Sequence, residues 1–128
     1  MQKKINLLHV EDDMDIQEIT KLSLDLNNRF EMVQCSGGEE ALSIAANYRP
    51  DVLLLDVMMP FMSGEVLLEK LRQLNGYADI PVIFMTARAQ EAEKDVLIAA
   101  GAAKVIVKPF DPMTLGDQII EVLKGQLS

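Results

Sequence analysis

The sequence has almost none of the residues that build disulfide bonds or soft-metal sites. Among its 128 residues are one cysteine, Cys35, and one histidine, His9. A single cysteine cannot form an internal disulfide, and one residue of each type cannot complete a Cys/His metal cluster. We therefore expect a cytoplasmic protein in which Cys35 is a small buried apolar group and His9 is a core residue rather than a ligand.

Long apolar runs and an excess of positive charge are missing as well. The apolar runs stay far below the roughly 20 residues that a transmembrane helix needs. The first run stops at the acidic triplet Glu11-Asp12-Asp13, unlike a signal peptide, so we expect neither membrane insertion nor export. Twelve Lys and Arg against twenty Asp and Glu give a formal charge of −8. Such a surface repels nucleic acid and attracts cations, so direct binding to nucleic acid is not expected.

What the sequence does contain is a regular alternation of short apolar runs with amphipathic segments. The apolar runs predict strands over residues 4–10, 30–35, 52–56, 80–86 and 105–107. The segments between them predict helices over residues 14–27, 39–48, 64–74, 90–100 and 112–124. Such alternation implies parallel strands joined by right-handed crossovers. The chain is therefore predicted to be one doubly wound α/β domain covering residues 1–128.

Capping residues and spacing indicate how these helices begin, end and pack. Asp13 is expected to cap the first helix and Asp111 the last, with Gly125 as the stop of the last helix. The fourth helix is apolar all round over residues 96–100, so the sequence does not indicate which of its faces is buried. The predicted inner faces of the others are Ile16, Ile19, Ser23 and Leu26; Ala41, Leu42, Ala45 and Ala46; Val66, Leu67, Leu71 and Leu74; and Leu115, Ile119, Val122 and Leu123.

Asp56 is the residue around which the rest of the chain is arranged. It ends the apolar run 52–55, which is typical of a strand covered on both faces. A carboxylate cannot be buried there unpaired, so Asp56 should emerge at the carboxyl end of the strand, where open α/β sheets place their ligand sites. Taken alone, the plainer interpretation, in which Asp56 starts a turn or caps the next helix, is the stronger one.

Other polar residues follow the ends of other predicted strands. Glu11 and Asp12 follow the first, Thr86 ends the fourth and Lys108 follows the fifth. Because the carboxyl ends of parallel strands meet at one edge, these side chains should converge on Asp56. Three carboxylates brought together repel one another, and a bound hard cation such as Mg²⁺ relieves that repulsion. Lys108 and Thr86 would then hold an anion such as phosphate, and Asp56 would attack phosphorus as a nucleophile.

Each of these residues also has a purely structural interpretation. Asp12 or Asp13 can cap the first helix, Thr86 can close a turn, and Lys108 can be a solvated strand end. For Asp13 the capping role is preferred. For the others, their agreement on one edge of the sheet favours a site.

These residues belong to a series of motifs that spans nearly the whole chain. In chain order the motifs are Glu11-Asp12, Asp56 followed by Met58-Met59-Pro60 and Gly64, Thr86-Ala87, and Lys108-Pro109-Phe110. Their identity and spacing resemble the receiver domain of two-component response regulators, including the chemotaxis-type regulators. The resemblance implies a flavodoxin-like α/β fold, with a five-stranded parallel sheet of order 2-1-3-4-5 and five helices.

The resemblance also implies a phosphorylation switch. Asp56 would accept a phosphoryl group from a phosphohistidine on a sensor histidine kinase or a histidine phosphotransfer protein. Asp12, Asp56 and the backbone carbonyl of Met58 would hold Mg²⁺, with Glu11 reaching the ion through water.

The implied output is a change in the surface formed by the fourth helix, the fifth strand and the fifth helix. Lys108 and Thr86 would bind the phosphoryl oxygens and draw the Thr86 loop inward. The altered surface would bind a downstream target or output domain, or a second copy in a homodimer. The chain departs from the family at Val105, where receivers usually carry Tyr or Phe. The usual coupling between the threonine and an aromatic ring is therefore expected to be weakened.

Other classes of protein fit the sequence less well. A phosphatase with an aspartyl-phosphate intermediate commonly has a second aspartate two residues after the nucleophile, where this chain has Met58. A flavodoxin-like electron carrier lacks support, because the chain has no Trp and no hydroxyl-rich phosphate loop after the first strand. The remaining alternative is a receiver-like interaction module without phosphorylation. We expect a signalling switch rather than an enzyme, with at most self-phosphorylation from small donors and slow self-dephosphorylation.

The substitution at Val105 leads to a first prediction. If Val105 weakens the coupling, Thr86→Ala should reduce the affinity for the downstream partner less than the loss of Asp56 does. Titration of each variant against that partner measures the two affinities. Equal losses in the two variants would contradict the prediction.

Overall fold

Helices and strands alternate along the described chain, as the sequence predicts. The computed structural model describes residues 3–88 and 90–127. The strands are β1 (Ile5–Val10), β2 (Phe30–Cys35), β3 (Val52–Asp56), β4 (Val82–Thr86) and β5 (Lys104–Val107). The helices are α1 (Met14–Asp25), α2 (Gly38–Ala45), α3 (Gly64–Arg72), α4 (Glu91–Ala99) and α5 (Leu115–Leu127). Within these residues, no helix combines the length and the apolar character that crossing a bilayer requires.

The five strands form one parallel sheet in the order β2-β1-β3-β4-β5. This order confirms the predicted flavodoxin-like arrangement. All residues of the central strand β3 are buried, which accounts for its uninterrupted apolar run. The chain adds β2 on one side of β1 and β3 on the other, so the direction of winding reverses between β1 and β3. Open α/β sheets bind ligands at the carboxyl ends of the strands beside such a reversal.

The sheet separates two core layers, because successive residues of a strand point to opposite faces. The layer against α2, α3 and α4 contains Leu8, Val10, Leu53, Leu55 and Phe84. The layer against α1 and α5 contains Leu7, Leu54, Ile83, Met85 and Ile106. Cys35 is buried in the first layer and His9 is fully buried in β1, as expected for both residues.

The helix ends agree with the sequence at α1 and differ from it at α5. Asp13 caps α1, since its carboxylate accepts two backbone N–H groups of the first turn at 2.9 and 3.3 Å. Asp111 instead caps a turn ahead of α5, because its carboxylate accepts the N–H of Met113 at 2.9 Å. The helix begins only at Leu115 and continues past Gly125. A glycine inside a helix costs only about 1 kcal/mol, so Gly125 does not end the helix.

The predicted inner face of α1 is wrong at two of its four residues. Ile19 and Leu26 are exposed, by 46% and 63%, and Thr20 is buried instead. Ser23 is buried as predicted, and its hydroxyl donates a hydrogen bond to the carbonyl of Pro112. This contact with the segment before α5 holds the Ser23 side of α1 inward, which leaves the apolar stripe facing solvent.

Smaller differences affect the other helices. Ala46 and Val66 are exposed, against prediction. Ala46 lies beyond the end of α2, and Val66 lies outside the buried face of α3 that carries Leu67 and Leu71. The open question about α4 is answered by Leu97, the buried residue of that helix. The predicted stripe of α5 is confirmed.

Gly64 is required where α3 starts against the end of β3. A Cβ atom built on Gly64 would lie 2.3 Å from the carbonyl oxygen of Asp56. The N–H of Gly64 donates to the carbonyl of Val57 at 2.9 Å. The first turn of α3 is thereby held directly against the strand end that carries Asp56.

Gly64→Ala is expected to lower the free energy of unfolding by about 2 kcal/mol, because the backbone must shift to admit the methyl group. Gly125→Ala is the matched control, since a Cβ there would have nothing within 4 Å. The control should gain about 0.5–1 kcal/mol, because alanine favours a helix interior over glycine. Urea denaturation followed by circular dichroism measures both. A Gly64→Ala variant as stable as the wild type would contradict the prediction, because it would show that the backbone at the start of α3 shifts without loss of stability.

Candidate functional site

Four strand ends meet at one edge of the sheet. Glu11 directly follows β1, Asp56 ends β3, Thr86 ends β4 and Lys108 directly follows β5. Backbone hydrogen bonds hold these ends in register: the N–H of Glu11 donates to the carbonyl of Cys35 at 3.0 Å, and that of Lys108 donates to the carbonyl of Thr86 at 2.7 Å. The parallel ladder therefore delivers four polar side chains to the same place.

The acidic group at this edge consists of Glu11, Asp12 and Asp56. Each residue offers a carboxylate oxygen, and these oxygens all lie within 4.8 Å of one another. Glu11 and Asp56 are almost fully buried, at 1% and 4% exposure, whereas Asp12 is exposed. Carboxylate oxygens are hard donors of the kind that Mg²⁺ prefers, and the exposed Asp12 leaves the group open to solvent. The donor set fits such an ion.

Lys108 joins the two buried carboxylates. Its Nζ lies 2.9 Å from Oε1 of Glu11 and 2.9 Å from Oδ1 of Asp56. The peptide bond between Lys108 and Pro109 is cis. Burial disfavours the charged form of the lysine, but the hydrogen bonds to Asp56 and Glu11 outweigh burial and raise the pKa of Lys108. The ammonium group therefore stays charged at neutral pH and balances part of the acidic group.

The carboxyl group of Glu11 has a raised pKa. Burial raises the pKa of Glu11 to about 7, against the hydrogen bonds that it accepts from Lys108 and from the N–H of Asp13 at 3.2 Å. The neighbouring charge of Asp56 raises this pKa further. Burial beside a second carboxylate therefore favours the protonated form of Glu11.

Thr86 ends β4, and Met58 lies two residues after Asp56 in the loop that follows β3. Thr86 is buried, and its hydroxyl accepts the N–H of Arg88 at 3.0 Å. The Met58 side chain is 59% exposed. Both residues, with Arg88 and Val96, line a groove of about 300 Å³ between the β3–α3 loop and α4. The role of Thr86 toward a phosphoryl group and that of the Met58 carbonyl toward a metal stay predictions.

Val105 lies in β5, in register with Phe84 of β4. Its side chain is half-buried and packs against the core layer of α2, α3 and α4. The short branched side chain is therefore part of the packing of that core layer.

A chain of amide side chains beneath the site was not predicted. Gln17 of α1 donates through Nε2 to the carbonyl of Glu11 at 2.7 Å. Gln34 of β2 donates to the carbonyl of Gln17 at 2.8 Å and contacts Nδ1 of His9 at 3.2 Å. Burial, together with the charge of Lys108, lowers the pKa of His9 to about 3, so the imidazole is neutral. Only the polarity of Gln17 and Gln34, on faces turned toward β1, could have indicated this chain.

The buried ion pair predicts a large difference between two lysine substitutions. Lys108→Met should lower the free energy of unfolding by about 3 kcal/mol, because it leaves two buried carboxylates without their cation. Lys21→Met is the control, since Lys21 forms an exposed ion pair with Asp25 at 3.2 Å. An exposed pair contributes less than about 1 kcal/mol. Urea denaturation in EDTA measures both, and equal losses would contradict the prediction.

Comparisons with known proteins agree with this geometry. The family model described as "Response regulator receiver domain" matches residues 7–120. The chain is 34% identical over 124 residues to a probable transcriptional regulator of Guillardia theta, which covers 97% of this chain and 47% of the relative. It is 39% identical over 107 residues to the response regulator MprA of Mycobacterium tuberculosis, covering 83% of this chain and 45% of the relative.

Solved structures of similar proteins share the whole fold. The chemotaxis protein CheY4 of Vibrio cholerae superposes with a TM-score of 0.86 at 31% identity, covering 94% of this chain and 99% of that chain. The chain spans about half the length of the curated relatives that it matches. Because the family model covers most of the chain and the strand order agrees, the chain belongs to the response regulator receiver domain family of two-component signalling.

Proposed function

We propose that this chain is a phosphorylation switch whose acceptor is Asp56. The observation that carries the proposal is the placement of Asp56 at the end of the central strand, with Nζ of Lys108 2.9 Å from its Oδ1 and two other carboxylates beside it. Lys108 offsets the charge at the acceptor, so a phosphoryl anion can approach without facing an unbalanced acidic group.

The proposed reaction moves a phosphoryl group and involves no redox change. A carboxylate oxygen of Asp56 forms a bond to phosphorus while the bond between phosphorus and the imidazole nitrogen of the donor breaks. The nitrogen keeps the electron pair of the broken bond. The products are an acyl phosphate on Asp56 and a free histidine on the donor, which is a sensor histidine kinase or a histidine phosphotransfer protein.

Mg²⁺ is the proposed cofactor. Asp12, Asp56 and the backbone carbonyl of Met58 would hold it, and Glu11 would reach it through water. A bound Mg²⁺ supplies positive charge that offsets the repulsion between carboxylates and phosphoryl oxygens. The protein keeps Glu11 in place through Lys108 at 2.9 Å, so the carboxylates stay together before any ion arrives.

Phosphorylation would give Lys108 and Thr86 a new anionic partner. The Thr86 hydroxyl, which accepts the N–H of Arg88, would turn to donate to a phosphoryl oxygen, and the loop after β4 would follow. Val105 has no ring to move with that loop, so the loop itself carries the change to the surface of α4, β5 and α5.

The surface of α4, β5 and α5 is the proposed output face. Ile98 of α4 is 50% exposed. We propose that this face binds a downstream target or an output domain and also supports a homodimer. About half of each longer relative lies outside the matched part, which leaves room for such an output domain. The chain itself would form a single cytoplasmic domain over residues 1–128 without direct contact to nucleic acid.

The competing function is a receiver-like interaction module that never takes up phosphate. Such a module has no need for a buried lysine that joins two carboxylates, because an ion pair of this kind costs desolvation and adds little stability over apolar packing. The retention of Asp56, Lys108 and Thr86 at one edge therefore favours phosphorylation. On this proposal the chain is a switch, and its only chemistry is self-phosphorylation from small donors and slow self-dephosphorylation.

Intact-mass spectrometry after incubation with acetyl phosphate and Mg²⁺ tests this function. The wild type should gain one phosphoryl group, because the carboxylate of Asp56 displaces acetate from phosphorus. Asp56→Asn removes the nucleophile and should gain none, and the wild type in EDTA should gain far less. A wild type that stays unmodified and binds no Mg²⁺ in calorimetry would support the interaction module instead.

A further inference from the structure

A cavity of about 800 Å³ lies at the amino edge of the sheet, opposite the edge that carries Asp56. Its lining comes from the segments around the starts of β1, β2, β3 and β4 and from α5, and we call it the amino-edge cavity. Small-molecule sites in proteins have volumes of about 300–1,000 Å³. The cavity has the size of such a site, and the length of β3, at about 3.3 Å per residue, separates it from Asp56.

Three cationic side chains line the amino-edge cavity, namely Lys3, Lys4 and Arg29. β1 and β2 pair with Ile5 opposite Phe30, so Lys4 and Arg29, each one residue earlier, come from neighbouring strand starts. The chain as a whole carries a formal charge of −8. Positive charge gathered in one concave place of an acidic protein favours the binding of an anion there.

These cations are not neutralised by ion pairs within the chain. In residues 3–88 and 90–127, no salt bridge involves Lys3, Lys4 or Arg29. Nζ of Lys4 donates to the carbonyl and the side-chain oxygen of Asn28, at 3.1 and 3.0 Å, and keeps a third N–H for another acceptor. Nε of Arg29 is buried without a hydrogen-bond partner. Because a buried donor without an acceptor costs free energy, an anion beside the guanidinium group is stabilising.

The wall formed by residues 78–81 is held in place by buried contacts. Nη1 of Arg72 donates to the carbonyl of Tyr77 at 2.8 Å and to that of Ile80 at 2.6 Å. Tyr77 is fully buried, and its hydroxyl donates to the carbonyl of Tyr48. Bonds at both ends of this segment fix its course, so the cavity is formed before any ligand arrives, and binding does not have to order this wall.

Apolar side chains supply the rest of the surface that a ligand would contact. Ile5, Pro50 and Leu123 are buried and line the cavity together with Pro81. Burying an apolar group of a ligand against them contributes about 25 cal/mol per Å². The site therefore favours a molecule with an apolar body over a bare inorganic anion.

Two carboxylates of the lining limit the charge of the ligand. Asp51 accepts the N–H of Asn6 at 2.8 Å, which holds its carboxylate to the start of the sheet, and Asp79 is exposed. The lining thus carries three positive and two negative side chains, a difference of one. A single acid group complements that difference, and a second one would face Asp51 or Asp79.

We infer that the amino-edge cavity is a binding site for a small organic acid, a monocarboxylate with an apolar body. The carboxylate accepts hydrogen bonds from Lys4 and Arg29, and the apolar body packs against Pro50 and Leu123. The site is separate from the acceptor edge, so this inference does not depend on the proposed function of Asp56.

A titration of the ¹⁵N-labelled chain with 2-naphthoate, followed through its amide signals by NMR, tests the inference. The probe combines one carboxylate with a rigid apolar body. Binding in the low millimolar range or tighter is expected for a ligand of this size. The amide signals of Lys4, Arg29 and Leu123 should shift most, and that of Asp56 should not shift. The uncharged 2-naphthamide, of the same shape, should bind at least about fivefold more weakly.

Arg29→Met should raise the Kd for 2-naphthoate about tenfold, because it removes a charged hydrogen-bond donor and keeps an apolar stem. Arg88→Met is the matched control: it removes the same charge from an exposed arginine that follows β4 at the opposite edge, and it should leave the Kd unchanged. Asp79→Asn should lower the Kd about twofold, since it removes a negative charge from the lining.

Four results would overturn the inference. The first is the absence of any amide shift up to about 10 mM 2-naphthoate, well above the expected Kd. The second is an equal Kd for 2-naphthoate and 2-naphthamide, or an equal loss in Arg29→Met and Arg88→Met, which would leave no role for the cations of the cavity. The third is a set of shifts centred on Asp56 and lost in Asp56→Asn, which would assign the probe to the acceptor edge. The fourth is amino-edge signals that shift with protein concentration and not with the probe, which would assign the cavity to a second copy of the chain.

Discussion

The ion pair that joins Lys108 to Glu11 and Asp56 is the interaction on which the rest of the site depends. Two carboxylates at 1% and 4% exposure would repel each other and lose their hydration without a nearby cation. Lys108 lies 2.9 Å from both and is itself held by its backbone hydrogen bond to the end of β4. One lysine faces three carboxyl groups, of which Glu11 is partly protonated near pH 7. The oxygens of Glu11, Asp12 and Asp56 lie within 4.8 Å of one another and form a group that could hold a metal ion.

The sheet and the loops of this receiver have different structural roles. The parallel ladder holds Glu11, Asp56 and Lys108 to a fixed geometry, and the tight approach of Gly64 to the carbonyl of Asp56 locks the start of α3 against the same strand end. The loops that leave this edge carry the exposed side chains. In these loops the side chains of Met58 and Phe61 are exposed to solvent, and exposed loops on a rigid scaffold are where binding residues concentrate.

Much of the fold follows from local pattern. The apolar run before Asp56 is covered on both faces because β3 is central, and the polar residues after the other strands share an edge because the strands are parallel. Local pattern was misleading at α1, where the exposed Ile19 and Leu26 had been expected inside. It was also misleading at Gly125, which lies inside α5 because one glycine costs a helix too little to end it.

The sequence by itself determined the strand and helix order, the parallel sheet and the set of polar residues at its carboxyl edge, because these depend on periodicity within short segments. Only the tertiary structure decided which face of α1 is buried, since the contact from Ser23 to Pro112 joins residues 89 positions apart. The same holds for the pairing of Lys108 with Glu11, which are 97 positions apart, and for the close packing of Met62 over Gly38. Contacts between distant segments depend on how the helices and loops pack on the sheet. The periodicity of a short segment contains no information about that packing.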